Sequence, residues 1–86
     1  MPEYSVRFVR SARKELDGLD DTVLTRVFAH IEALAKAPRP PGCKKLRGAH
    51  DLWRIRIGPF RVVYQIDDAA RLIEIRAVGD RKDIYE

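Results

Sequence analysis

The stretch Leu52-Trp53-Arg54-Ile55-Arg56-Ile57-Gly58-Pro59-Phe60-Arg61-Val62-Val63-Tyr64-Gln65-Ile66 decides how this chain is read. Successive side chains of a β-strand point to opposite faces. Trp53, Ile55 and Ile57 therefore turn toward a core, and Arg54 and Arg56 share the other side. Gly58-Pro59 reads as a tight turn between two strands, although proline makes it an imperfect hairpin signal. If that turn pairs the strands, Arg61 falls close to Ile55 or Arg56 and adds its charge to the same face. Three like charges placed together repel unless an anion joins them. The strands carry no Asp or Glu; Asp51 and Asp67 stand only at their ends. Cations gathered in this way on a rigid sheet suit the binding of a polyanion, or action on its phosphates.

Outward from this stretch the remaining elements follow. Leu72 to Val78 reads as a third strand of the same meander, with Asp67 to Arg71 as the turn before it. Toward the N-terminus, Tyr4 to Phe8 alternates as a half-buried strand. Ser11 is placed to cap a short helix over Ala12 to Leu19, with Gly18 near its end. Asp20 or Asp21 caps a longer helix, whose stripe is Leu24, Val27, Phe28, Ile31, Leu34 and Ala35. Pro38, Pro40, Pro41 and Gly42 end it and open a stiff loop. The order β-α-α-β-β-β predicts an α+β fold: a small antiparallel sheet with two helices packed on one face.

The 86 residues are 45% hydrophobic and 35% charged, and they read as a single domain, 1–86. No apolar stretch approaches a membrane span and the start is unlike a signal peptide. Cys43 is the one cysteine, so no internal disulfide forms and a reducing cytoplasm is expected. His30 and His50 lie on different elements, and no Cys/His spacing suggests a metal; no cofactor is expected. The net charge is +4, unevenly placed: residues 1–35 hold 5 Lys/Arg against 6 Asp/Glu, and residues 36–86 hold 12 against 7. A basic excess confined to one half points to nucleic acid.

The loop cations Lys44, Lys45 and Arg47 run into the basic strand and would extend a phosphate track. His50 reads as a loop residue, and His30 as a structural one on the helix flank. Cys43 has charged neighbours but no base beside it in sequence. Tyr64 and Trp53 read as core. Tyr85 follows Arg81 at near-helical spacing, so its hydroxyl is able to return to the arginine face.

These residues carry a resemblance. Leu46-Arg47-Gly48, Trp53 to Ile57, Arg61-Val62-Val63-Tyr64-Gln65-Ile66 and Val78-Gly79-Asp80-Arg81 with the following Tyr85 are similar to the RelE branch of the RelE/ParE toxins, over almost the whole chain. The resemblance implies a small sheet flanked by helices and the toxin role in a type II toxin–antitoxin system. It also implies a ribosome-dependent endoribonuclease that cleaves mRNA in the A site of the 30S subunit and inhibits translation. A RelB-like antitoxin would hold it inactive in a hetero-oligomer, covering the arginine face or displacing the tail that bears Tyr85.

Carried over residue by residue, the resemblance puts Arg61, Arg81 and Tyr85 on positions that act in catalysis and phosphate binding. Arg54 and Arg56 stand where the best-studied members have lysines. A lysine is able to lose its proton, whereas arginine effectively keeps it, so these two act as fixed charges and not as bases. Tyr85 follows Arg81 about two residues sooner than in the family pattern. A ParE-like toxin that poisons DNA gyrase without cutting RNA is the alternative, since it shares the fold. The arginine set with Tyr85 suits nucleolysis and has no evident purpose in gyrase binding. A relative retained as a basic binding module is the third reading.

Overall fold

The alternating runs become strands and the 3.6-residue stripes become helices. The computed structural model describes residues 3–47 and 51–80. Along them lie β1 (Ser5–Phe8), α1 (Arg10–Asp17), α2 (Asp21–Leu34), β2 (Lys44–Lys45), β3 (Leu52–Ile57), β4 (Phe60–Asp67) and β5 (Leu72–Gly79). The strands form one sheet in the order β1-β5-β4-β3-β2. Both helices lie against one of its faces, so the α+β class expected from the sequence stands.

The β3–β4 hairpin sets the register of the sheet. Ile57 pairs with Phe60 across the two-residue turn, Ile55 with Val62 and Arg56 with Arg61. Gly58 has φ +59°, which the first central position of a tight hairpin turn favours in glycine. Pro59 follows, where a negative φ is wanted and no amide donor is needed. The proline that weakened the turn signal is thus compatible with it.

Three features depart from the sequence reading. The sheet is mixed, because β1 pairs in parallel with β5 while β2–β3, β3–β4 and β4–β5 are antiparallel. A parallel partner requires a long crossover, here supplied by the whole intervening chain from Val9 to Arg71. Residues 44 and 45, read as loop, add a two-residue edge strand opposite Arg54 and Trp53. Helix α1 starts at Arg10, not Ala12, and its N-cap is Val9, without a side-chain cap bond. Ser11 therefore lies inside the first turn: β1 runs straight into α1, and tertiary placement overrides the local capping preference.

The core lies between the helices and one sheet face. Ala12 and Leu16 of α1 and Val27, Ile31 and Leu34 of α2 meet Ile55, Ile57, Val62, Tyr64, Ile66, Ile73, Ile75 and Val78. Phe28, counted in the α2 stripe, is 39% exposed instead. It sits on the flank of the stripe, over the gap between α2 and β1. Where β1 ends, the open edge of β5 is met by a side chain: the Val78 N–H donates to Glu15 Oε1 at 2.9 Å. The Pro-rich loop is tied to the core by the buried Tyr64 hydroxyl, which donates to the Pro38 carbonyl at 2.7 Å. Trp53 is part-buried against this core, and the Arg39 guanidinium lies 5.0 Å from its ring centre. Arg39 is in turn held by Asp68 at 2.9 Å.

Candidate nucleic-acid interface

The sheet face turned away from α1 and α2 holds the candidate site. On β4, Arg61, Val63 and Gln65 alternate onto this face. Their cross-strand partners Arg56, Arg54, Gly79, Ala77 and Glu74 share it. Lys44 of β2 stands opposite Arg54. At the β2 end these residues enclose a groove of about 270 Å³ lined by Lys44, Lys45, Leu46, Arg47, Arg54, Arg56 and Arg61. Every described cation singled out in the sequence is brought together there. A Leu46 N–H to Leu52 carbonyl bond of 2.9 Å fastens the basic loop to β3.

The cations differ in environment. Arg56 is exposed, Arg54 is half-buried, and Arg61 is 8% exposed and already engaged within the molecule. Among the described residues no carboxylate forms an ion pair with Lys44, Lys45, Arg47, Arg54 or Arg56. Directly opposed residues of an antiparallel pair lie about 5 Å apart at Cα. Arg56 and Arg61 are such a pair. Lys44, Lys45, Arg47, Arg54 and Arg56 leave the groove positive, a field that attracts anions.

The other end of the same face is chemically different. Glu74 accepts from Arg76 at 2.8 Å and from Arg7 at 3.0 Å, and Arg76 also reaches Gln65 at 3.2 Å. Arg76, then Arg7, hold the Glu74 carboxyl below the usual carboxylate range. Sequence reading missed Arg7 and Arg76 as members of this face. Alternation in Val6-Arg7-Phe8 showed the side of β1, but only the long-range β1–β5 register puts Arg7 opposite Glu74. The register shift near Val63 and Tyr64 leaves Arg76 as the extra residue of β5.

The described residues offer charge more than proton transfer. Burial raises the pKa of Tyr64, and its hydroxyl is spent on Pro38. Tyr4 is likewise raised, chiefly by the hydrogen bond its hydroxyl donates to Asp68 at 2.5 Å. His30 is exposed on α2, with Nδ1 3.0 Å from the Arg26 carbonyl; it does not line the groove but shares a neighbouring pocket with Arg56. Cys43 packs at the core margin. No cluster of three potential metal ligands occurs among the described residues. No helix among them is long and apolar enough to cross a membrane. Arg81 and Tyr85, assigned from the sequence to the reaction itself, lie outside the described residues, as does His50.

Comparison with known proteins gives this geometry a setting. Residues 6–85 match the family model of the ParE toxin of the type II toxin–antitoxin system parDE. A RelE-like toxin protein of Escherichia coli is 34% identical, over 95% of this chain and 90% of its own. The toxin RelG of Mycobacterium tuberculosis is 34% identical over 95% of each. Among solved structures, the toxin–antitoxin complex RelBE2 of Mycobacterium tuberculosis contains a chain that superposes with a TM-score of 0.81 at 31% identity, covering 92% of this chain and 99% of that one.

Proposed function

Because the chain belongs to the RelE/ParE family of type II toxins, we propose that it is a ribosome-dependent endoribonuclease that cleaves mRNA in the A site and is silenced by a RelB-like antitoxin. The observation that carries this reading is the groove in which Lys44, Lys45, Arg47, Arg54, Arg56 and Arg61 converge on the sheet face turned away from α1 and α2.

In the proposed reaction the ribose 2′-hydroxyl attacks the adjacent phosphorus and the 5′-oxygen departs. Negative charge grows on the phosphoryl oxygens, and fixed cations aimed at them lower the barrier most. Arg61 and Arg81 hold the scissile phosphate. Arg54 and Arg56 grip flanking phosphates and favour ionisation of the 2′-hydroxyl. Tyr85 exchanges a proton, for which a phenol near pKa 10 needs a cationic neighbour. Arginines make poor bases, so positioning of the mRNA by the ribosome supplies much of the rate, and free RNA is a poor substrate.

The test is expression in growing cells with primer extension on translating ribosomes. Arg61→Ala and Arg81→Ala should each relieve growth arrest and cut A-site cleavage by roughly 100-fold or more. Circular dichroism of each variant guards against simple unfolding, since Arg61 is buried. Full toxicity in both variants defeats the assignment.

A gyrase-directed poison is the second reading, favoured by the match to the ParE family model. It predicts DNA damage with intact mRNA in the same cells.

A further inference from the structure

A second pocket adjoins the cationic groove, and Arg56 belongs to both. Its volume is about 420 Å³, inside the range of roughly 300–1,000 Å³ in which proteins hold small organic ligands. Ala33, Leu34 and Ala37 from α2 and its end, Pro40 and Pro41 from the loop, and Ile55 of β3 give it apolar walls. Gly42 borders it with open space where a side chain would begin.

Polar groups enter at the rim. His30 lines the pocket, with its Nδ1 3.0 Å from the Arg26 carbonyl. A carbonyl only accepts, so Nδ1 carries the proton and Nε2 of the neutral ring is left as an acceptor. The main chain of β3 supplies the rest. Residues of a strand direct their main-chain groups alternately to its two sides. The Leu46 N–H donates to the Leu52 carbonyl at 2.9 Å, so Leu52, Arg54 and Arg56 direct theirs toward the β2 side. Strand β2 reaches only to Lys44, opposite Arg54. Two residues farther along β3, no described strand pairs with Arg56 on that side. Its N–H and C=O therefore open beside the apolar walls.

We propose that this pocket takes one base of the RNA whose phosphates lie in the groove, and that it selects adenine or cytosine; this deepens the nuclease reading above and rests on it. Both bases carry an amine beside a ring nitrogen that accepts. The amine donates to the Arg56 carbonyl and to His30 Nε2, and the ring nitrogen accepts from the Arg56 N–H. Uracil has a carbonyl oxygen in place of the amine, which leaves His30 Nε2 facing another acceptor. The apolar walls cover the faces of the ring. Bases of single-stranded RNA are free to be read in this way along their pairing edges. A nucleotide joins its base to its phosphate covalently, and Arg56 stands where the two cavities meet. A peptide strand fits less well. Strand addition needs a row of main-chain partners, and β3 ends at Ile57, one residue beyond Arg56.

The experiment uses the whole toxin and short 2′-O-methyl oligonucleotides at neutral pH, since these lack the attacking hydroxyl. Oligo(C) should bind about tenfold more tightly than oligo(U) or an abasic strand of the same length, as a base held by a paired donor and acceptor does. His30→Ala, exposed on α2, should cut that ratio to about threefold or less and leave oligo(U) binding unchanged. Ala37→Leu, exposed at the end of α2, should fill the pocket and bring oligo(C) down to the affinity of oligo(U). Hydrogen exchange at the Arg56 amide should slow by at least about tenfold with oligo(C) and not with the abasic strand. Equal binding of oligo(C) and oligo(U), or a ratio untouched by both variants, overturns the base pocket. The nuclease reading then stands, provided that the abasic strand binds with the salt dependence of a phosphate groove. Protection of the Arg56 amide only in the complex with the antitoxin gives the pocket to a peptide and overturns the proposal. Failure of every strand to bind, the abasic one included, overturns the groove and both readings with it.

Discussion

The charge of the groove should be measurable as a salt dependence. Five cations, Lys44, Lys45, Arg47, Arg54 and Arg56, line it without carboxylate partners among the described residues. Single-stranded nucleic acid releases counterions so that log K falls against log salt with a slope of about −0.7 per phosphate neutralised. Five such contacts set a limit near −3.5. Lys44 and Lys45 are both exposed on β2, and their replacement should not disturb the core. Lys44→Gln/Lys45→Gln should therefore flatten the slope by about 1.4, with a uniform loss of affinity across RNA sequences. The assay is fluorescence anisotropy with a short RNA carrying a 2′-deoxy substitution at the scissile position, titrated between about 50 and 300 mM KCl, the range over which such contacts are lost. Arg13→Gln, on the far side of the sheet at α1, is the control. An unchanged slope in the lysine variant, or an equal flattening in the control, refutes the groove as the phosphate site.

Other consequences test the scaffold. Tyr64→Phe removes the bond to the Pro38 carbonyl at a buried position, so urea denaturation should show a loss of about 1–2 kcal/mol; an unshifted midpoint would mean the loop is held by other contacts. Glu74 has a folded pKa depressed by Arg76 and Arg7. Its contribution is complete above the unfolded value, near 4.3, and fades as pH falls through the lower folded value. Glu74→Gln should thus lower stability at neutral pH and flatten the acid limb of the stability curve. A variant whose acid limb parallels that of the wild type would show that other carboxylates govern it. Glu15→Ala leaves the Val78 amide without its acceptor and should cost about 1–3 kcal/mol, together with faster hydrogen exchange at Val78; unaltered exchange would show that water replaces the carboxylate.

How much of this was legible depended on whether the signal was local. The β3–β4 register came from period-two alternation and a turn, and it carried Arg56 opposite Arg61 as one of two expected positions. The helices came from their stripes, though Phe28 shows that a stripe marks a direction and leaves its flanks undecided. The parallel pairing of β1 with β5 was illegible because its partners are far apart in sequence and no turn connects them. Strand β2 was illegible for another reason: two lysines are too few to show a period. The same limits apply to function. The cations of the groove were readable as a group, since one hairpin and one loop supply them. The Glu74 network was not, because β1, β4 and β5 contribute one residue or two each.

The lysine pair at the outer border has a consequence beyond RNA. Any sheet stops somewhere, and an unfinished border invites a neighbouring molecule to continue it. Here one border is only two residues long and consists of ammonium groups, a terminus that repels its own likeness. On the proposed function, substitutions that disarm the toxin there would also remove a guard against self-assembly. Loss of activity and loss of solubility should therefore travel together at Lys44 and Lys45, and an inactivated descendant of this protein would have reason to keep both.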